Sequence, residues 1–173
     1  GTSINLLDIK NSSQISQITL LAKNEKGYSN LLYLSSLSHL NAYRDVGITL
    51  NQIKNYSDGL YCYVGGINNP LLILNQSNKK ADLKKIIDNL KNYFEDNLLF
   101  EIQRINDPAI DSFEEEFINL SQKFDIPLIG SNNVKYGKND DFSAHDALLC
   151  IAQKSTINNS QRNVSNENIY FKS

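Results

Sequence analysis

The sequence has no methionine and no tryptophan, and only two cysteines and two histidines, among its 173 residues. Cys62 and Cys150 lie inside apolar runs, with no second Cys or His at a metal-binding spacing. This predicts buried free thiols in a reducing compartment rather than a disulfide. Because a natural chain begins with Met, we expect Gly1 to be the edge of a piece of a longer protein.

Long apolar runs and excess charge are missing too. No segment approaches the ~20 apolar residues of a membrane span, and no charged-then-apolar leader is present, so we expect a cytoplasmic protein without a membrane partner. The net charge of -2 does not indicate the clustered basic surface that nucleic-acid binding requires. Lysines at 79, 80, 84, 85 and 91 fall mostly off the apolar stripe of a predicted helix and indicate a solvated face.

Strands and helices alternate along the sequence. Apolar and β-branched runs predict strands at 18–22, 60–64, 98–103 and from Pro127 to Gly130. Helical spacing of apolar residues predicts helices from Tyr28, from Thr49, over 79–95, from Ser112 and over about 141–153, with Asn41 and Gly47 marking the end of the first. Thr49 with Gln52, and Ser112 with Glu115, match the capping-box spacing. The order predicts an α/β fold of mainly parallel strands with flanking helices.

The stretch from Pro127 to Gln153 combines a short strand, a polar loop and a helix, and it is where a parallel α/β enzyme would place its chemistry. Its loop residues are poor metal ligands, because the amide oxygens of Asn132 and Asn133 bind metals weakly and the ammonium of Lys135 has no lone pair. Asp140, Asp141 and Asp146 lie near the start of the predicted helix, where negative charge interacts favourably with the positive end of the helix dipole.

Neither histidine indicates a catalytic site. His39 falls late in a predicted helix, among Ser38, Leu40 and Asn41, and is best explained as part of a polar helix end. His145 lies near a helix start, and a structural hydrogen bond from its ring is favoured over catalysis.

Three sequence blocks resemble a known family. LLAKNEKGYSNLLYLSSLSHL, DGLYCYVGG and PLIGSNNVKYGKNDDFSAHDALLCIAQ, with the terminal YFKS, resemble the polymerase-and-histidinol-phosphatase (PHP) domain of bacterial DNA polymerase III alpha subunits. The resemblance implies part of a distorted (β/α)7 barrel, with a partial PHP domain at 1–155 and a loop or linker at 156–173 leading into the rest of a parent chain.

The resemblance also implies a role in DNA replication. The parent would be a DNA-directed DNA polymerase, a nucleotidyltransferase whose polymerase carboxylates lie in later domains and not in this chain. The implied partners are the rest of the polymerase alpha chain and the proofreading exonuclease subunit, with DNA reached only through the parent. This piece would serve as a structural and docking module, and we expect it to have no activity of its own.

Metal-binding members of the family use His, Asp, Glu and Cys ligands, and the resemblance places other residues at those positions. Each of five residues occupies the position of a family ligand: Ser3 replaces a carboxylate, Gly66 a thiolate, Ile105 a histidine, Asn133 an aspartate and Lys135 a histidine. Arg104, beside Ile105, would add positive charge if it pointed inward, as would Lys135. We therefore expect a degenerate metal site, with no catalytic residue and no cofactor.

Two alternatives stay open. The chain could be a working PHP-type phosphoesterase or proofreading exonuclease whose ligands lie elsewhere, or an unrelated soluble α/β domain. If early barrel strands are absent, we also expect an unpaired strand edge near Ile18 or Leu60, and self-association through it.

Overall fold

The computed structural model of the chain describes residues 1–10, 14–40 and 45–172. Asn41 and Ser173, which take part in the predictions above, lie outside these ranges. The strands are β1 (Thr2–Lys10), β2 (Ile15–Ala22), β3 (Leu60–Gly65), β4 (Leu98–Gln103) and β5 (Leu128–Ser131). The α-helices are α1 (Glu25–Leu40), α2 (Leu50–Lys54), α3 (Pro70–Gln76), α4 (Lys80–Phe94), α5 (Pro108–Phe124) and α6 (Phe142–Ala152).

The five strands form one open sheet in the order β1-β2-β3-β4-β5. β2 pairs antiparallel with both β1 and β3, and the β3–β4 and β4–β5 pairs are parallel. Four strands therefore point one way and only β2 points the other. The predicted α/β class with mostly parallel strands is confirmed, whereas closure into a seven-stranded barrel stays a prediction.

The predicted free edge is wrong. The strand that contains Ile18 is paired on both sides, with β1 and with β3, and the strand that begins at Leu60 is paired with β2 and β4. β1 was not predicted from the sequence, and it covers the edge that we expected to be open. Self-association through that edge therefore loses its structural basis.

The sheet has one covered face and one polar face. Buried residues alternate with half-buried ones along β2 and β3 because neighbouring side chains point to opposite faces. The buried side packs into one apolar core with helices α1, α3, α4 and α5. The core includes Ile18, Leu20, Leu34, Cys62, Val64, Leu72, Ile87, Leu90, Phe100 and Phe117. The opposite face presents hydroxyl, amide and tyrosine side chains, together with the Glu101 carboxylate and the apolar Leu21 and Leu99.

Local signals explain where the helices begin. α2 starts after Thr49 as predicted, and the Gln52 side chain accepts the Thr49 backbone N–H at 2.8 Å. α4 buries the predicted stripe from Leu83 to Phe94. Within the described ranges, we find no helix with the length and apolarity needed to cross a bilayer.

Two helix predictions need correction. α3 is absent from the predicted helices; the Asn69 side chain accepts the Leu72 N–H at 2.9 Å and caps it. α5 begins at Pro108 rather than at Ser112, because the Asp107 carboxylate accepts the N–H groups of Ala109 and Ile110.

Candidate functional site

The five positions implied by the family resemblance line a single cavity. Ser3, Gly66, Ile105, Asn133 and Lys135 all border a space of about 600 Å³ over the polar face of the sheet. Ser3 lies in β1, and the other four follow the ends of β3, β4 and β5, which are parallel strands. Because parallel strands end at the same side of a sheet, residues far apart in sequence meet here.

The loop after β3 forms one wall. Gly66 has a φ of +70°, a conformation that glycine adopts without strain. Its carbonyl oxygen accepts from the Asn69 side chain at 2.6 Å, and the Asn68 carbonyl accepts the Gln17 backbone N–H at 2.6 Å. These bonds fix the wall next to the start of β2.

The end of β4 contributes Glu101, Gln103 and Ile105 to the lining. Ser131 of β5 donates a short hydrogen bond to the Glu101 carboxylate. Ile105 is buried. An alkyl side chain thus closes this part of the cavity.

Arg104 does not put charge into the cavity. Its side chain is 74% exposed and forms an ion pair with Glu114 of α5 at 2.9 Å. The hydrogen bond to Glu114 raises the pKa of the Arg104 guanidinium above its ordinary value. The inward orientation considered for Arg104 is therefore wrong, while Lys135 does border the cavity.

The loop after β5 supplies Asn132, Asn133, Val134 and Lys135. The Asn132 side chain donates to the backbone oxygens of Asn168 at 3.1 Å and Tyr170 at 2.5 Å. Its own Oδ1 is buried and has no hydrogen-bond partner among the residues that the structure describes. Asn133 and Lys135 are exposed, so they form a rim rather than a floor.

The floor is the polar face of β1 and β2. Ser3 Oγ lies 3.0 Å from Thr19 Oγ1, its cross-strand neighbour. The Gln17 side chain donates to Asn5 Oδ1 at 2.9 Å. The hydroxyls and amides of the floor are thus already paired with each other.

The chemistry of this lining is mostly neutral. Among the described residues that line it, Glu101 and Lys135 are the only ones with charged side chains. No cluster of three or more His, Cys, Asp or Glu side chains that could hold a metal occurs in the part of the chain that the structure describes. The arrangement can hydrogen-bond a polar molecule, and its described lining offers a divalent ion one carboxylate, on Glu101, where such an ion usually has several anionic or imidazole ligands.

Sequence reasoning missed Glu101 as a cavity residue, together with Gln17, Thr19, Asn68 and Gln103. A signal was available in β2, where Gln17 and Thr19 alternate with the buried Ile18 and Leu20. Tyr63 also lies on this face, and removal from water, with the nearby Tyr61 and Glu101, raises its pKa.

The remaining predicted residues lie outside the cavity. His39 is exposed in the last turn of α1. His145 Nε2 is 3.3 Å from Ser165 Oγ, which matches the expected structural hydrogen bond. Both cysteines are free and buried, as predicted.

The segment after α6 contains no helix or strand within its described residues, 156–172. It packs against α6 and against the loop after β5, where Tyr170 pairs with Tyr136 in an isolated bridge. The domain boundary at residue 155 stays a prediction.

Comparison with known proteins places these features in a family. A family model described as "PHP domain" matches residues 1–105. The chain is 36% identical over 162 residues to DNA polymerase III subunit alpha of Rickettsia bellii, covering 91% of this chain and 14% of the relative. The corresponding protein of Caulobacter vibrioides is 30% identical over 157 residues, with 90% and 14% covered. That of Campylobacter jejuni is 32% identical over 169 residues, again with 90% and 14% covered.

The chain spans about 14% of the length of these curated relatives. The matched residues 1–105 include β1 to β4 and three of the five cavity positions. The match covers more than half of the sequence, and on that basis the chain belongs to the PHP domain family.

Proposed function

We propose that this chain is part of a DNA polymerase III alpha subunit and serves there as a structural and docking module. The alpha subunits match about nine-tenths of the chain, but the chain spans only 14% of their length. DNA-templated synthesis would then belong to other parts of the longer polypeptide. The partners in this proposal are the rest of that polypeptide and the proofreading exonuclease subunit, with DNA reached through the parent, in the cytoplasm.

The observation that supports a structural role is the cavity lining. The five positions where metal-binding relatives would place ligands contain a hydroxyl, no side chain, an alkyl group, an amide and an ammonium, and all of them border one cavity. A divalent ion needs several anionic or imidazole ligands to offset the loss of its water shell. Glu101 is a single carboxylate that already accepts from Ser131.

Metal content tests this half of the proposal. After equilibration with Zn²⁺, Mn²⁺ or Fe²⁺ and removal of free ions, elemental analysis of the chain should find far less than one ion per molecule. Glu101→Gln is the matched control, because it removes the cavity's one carboxylate. Near-stoichiometric metal that disappears in this variant would favour a PHP-type phosphoesterase or proofreading exonuclease instead.

Affinity for the exonuclease subunit tests the docking half. An alpha subunit lacking the residues that match this chain should bind the exonuclease subunit at least about tenfold more weakly than the intact subunit. Equal affinity of the two forms would contradict the docking role and leave the structural role standing.

A further inference from the structure

A second feature of the fold concerns the residues after α6. Residues 157–172, here called the strap, run back along α6 and then beside the loop after β5. The strap has no regular secondary structure. Its position therefore depends on the contacts that it makes with its neighbours.

The first set of contacts ties the strap to α6. Arg162 binds the Asp146 carboxylate with both terminal nitrogens, at 2.5 and 2.7 Å. The sequence predicts that Asp146 interacts with the positive end of the helix dipole. In the structure its carboxylate forms this ion pair with Arg162. Next to the pair, Gln153 exchanges hydrogen bonds with the backbone of Asn163, at 3.0 and 3.2 Å.

The second set ties the strap to the cavity. The Lys135 N–H donates to the Ile169 carbonyl at 2.8 Å, and the Phe171 N–H donates to the Tyr136 carbonyl at 3.1 Å. The Tyr136 hydroxyl donates to the Glu167 carbonyl at 2.7 Å. With these bonds and the Asn132 bonds described above, the strap holds the loop that supplies four of the cavity's residues.

The ion pair is largely removed from solvent. Only 10% of the Asp146 side chain and 9% of the Arg162 side chain are exposed. Removing one partner of a buried pair leaves an uncompensated charge, which is strongly unfavourable. Among the strap's apolar residues, Ile169 is buried, but Ile157, Val164 and Phe171 are exposed. Apolar burial therefore gives the strap little independent anchorage.

We propose that the Asp146–Arg162 ion pair is a lock that holds the strap on α6 and thereby fixes the cavity loop at residues 132–136. When the lock is broken, the unpaired partner is left in a site with little solvent, and departure of the strap from α6 hydrates it. The strap then releases the loop, and the cavity loses its defined wall. This mechanism does not depend on the function proposed above.

Backbone hydrogen exchange, followed residue by residue in the full chain, tests the lock. The reporters are the amides of Lys135 and Phe171, and the reference is the Phe100 amide, which donates to the Pro127 carbonyl between β4 and β5 at 2.9 Å. In Asp146→Asn and Arg162→Gln, exchange at both reporters should rise at least about tenfold, since hydrogen bonds to charged groups are strong. Exchange at Phe100 should not change.

Three comparisons sharpen the test. Glu114→Gln breaks the exposed Arg104 pair and should leave the reporters unchanged. The double variant Asp146→Asn/Arg162→Gln should accelerate exchange by less than the product of the two single effects, because it leaves no unpaired buried charge. Arg162→Lys keeps the positive charge but cannot donate from two terminal nitrogens to the Asp146 carboxylate. Exchange at the two reporters should therefore rise by an intermediate factor.

Two results would overturn the proposal. The first is unchanged exchange at Lys135 and Phe171 in both single variants. The second is equal acceleration at Phe100, which would make the pair a contributor to global stability and not a lock on the strap. If a single variant fails to fold, exchange is measured in Arg162→Lys instead. Faster exchange at Lys135 and Phe171 alone supports the lock, and equally faster exchange at Phe100 contradicts it.

Discussion

Gly27 of α1 and Gly59, just before β3, meet backbone to backbone. A Cβ added at Gly27 would lie 1.7 Å from the Gly59 carbonyl oxygen, far inside any allowed contact. Because backbone and not a flexible side chain is the obstacle, Gly27→Ala must separate α1 from the chain before β3. We expect a loss of about 2 kcal/mol or more in the free energy of unfolding, measured by urea denaturation.

Gly130 provides the control for this prediction. An added Cβ at this β5 position meets no atom of the described residues within 4 Å. Gly130→Ala should therefore change the free energy of unfolding by no more than about 0.5 kcal/mol. Equal stability of the two variants would show that α1 does not approach Gly59 as described.

The start of α5 provides a second prediction. Asp107 accepts two backbone N–H groups of the first helical turn, at 2.9 and 3.3 Å, whereas Ser112 lies within the helix and donates to the Ala109 carbonyl. Asp107→Ala should lower the free energy of unfolding by about 1 kcal/mol through loss of the N-cap. Ser112→Ala should have a much smaller effect. The reverse order of the two effects in urea denaturation would restore the capping box that the sequence suggested.

These helix starts illustrate what sequence patterns could predict about the fold. The helices α4 and α6 follow long apolar stripes or runs, and they appeared within one or two residues of their predicted ends. α3 has the cap and proline signals of a helix, but its core residues Leu71 to Leu74 are buried on all sides and show no helical periodicity. β1 was missed because its pairing with β2, which places Ile4 and Leu6 in the core, is a tertiary relationship.

In the candidate site, too, the sequence predicted some residues, whereas the place of others depends on tertiary packing. Family motifs identified positions such as Gly66 and Asn133, and the parallel strand ends bring them together. The motifs did not include Glu101, whose place in the cavity depends on the register of β4 with β5. They also could not show that Arg104 turns outward, because its ion pair with Glu114 forms only when α5 packs beside β4.

Cys62 provides a third prediction. Its side chain is fully buried, and burial raises the pKa of the thiol well above its ordinary value of 9.0. The thiolate is the reactive form, so Cys62 in the folded chain should resist alkylation and react only after denaturation. Rapid labelling of native Cys62, located by mass spectrometry, would contradict its position in the core.

The same raised pKa makes stability depend on pH. Below pH 9.0 the thiol is protonated in both the folded and the unfolded states, and its contribution to stability is fully present. As the pH rises above that value, the unfolded state releases the proton and the folded state keeps it, so stability falls by up to about 1.4 kcal/mol per pH unit. Comparison with Cys62→Ala isolates this effect: the stability advantage of the wild-type chain should shrink only above pH 9.0.

Heat denaturation with added metal provides the fourth prediction. An ion that binds only the folded state, at a concentration 1,000 times its Kd, stabilises by about 4 kcal/mol, which for a chain of this size raises Tm by about 8 to 16 °C. The cavity offers such an ion one carboxylate, on Glu101, and the ammonium of Lys135 lies at its rim. We therefore expect melting curves that coincide with Mn²⁺, with Zn²⁺ and with a chelator.

A rise in Tm would not by itself identify the cavity as the binding site, because surface carboxylates bind ions weakly. Glu101→Gln makes the distinction. A metal-dependent rise that survives this substitution arises elsewhere on the chain and leaves the neutral cavity unchanged. A rise that Glu101→Gln abolishes would mean that one carboxylate and the neighbouring amides suffice for a metal centre, contrary to the ligand requirement on which the structural role depends.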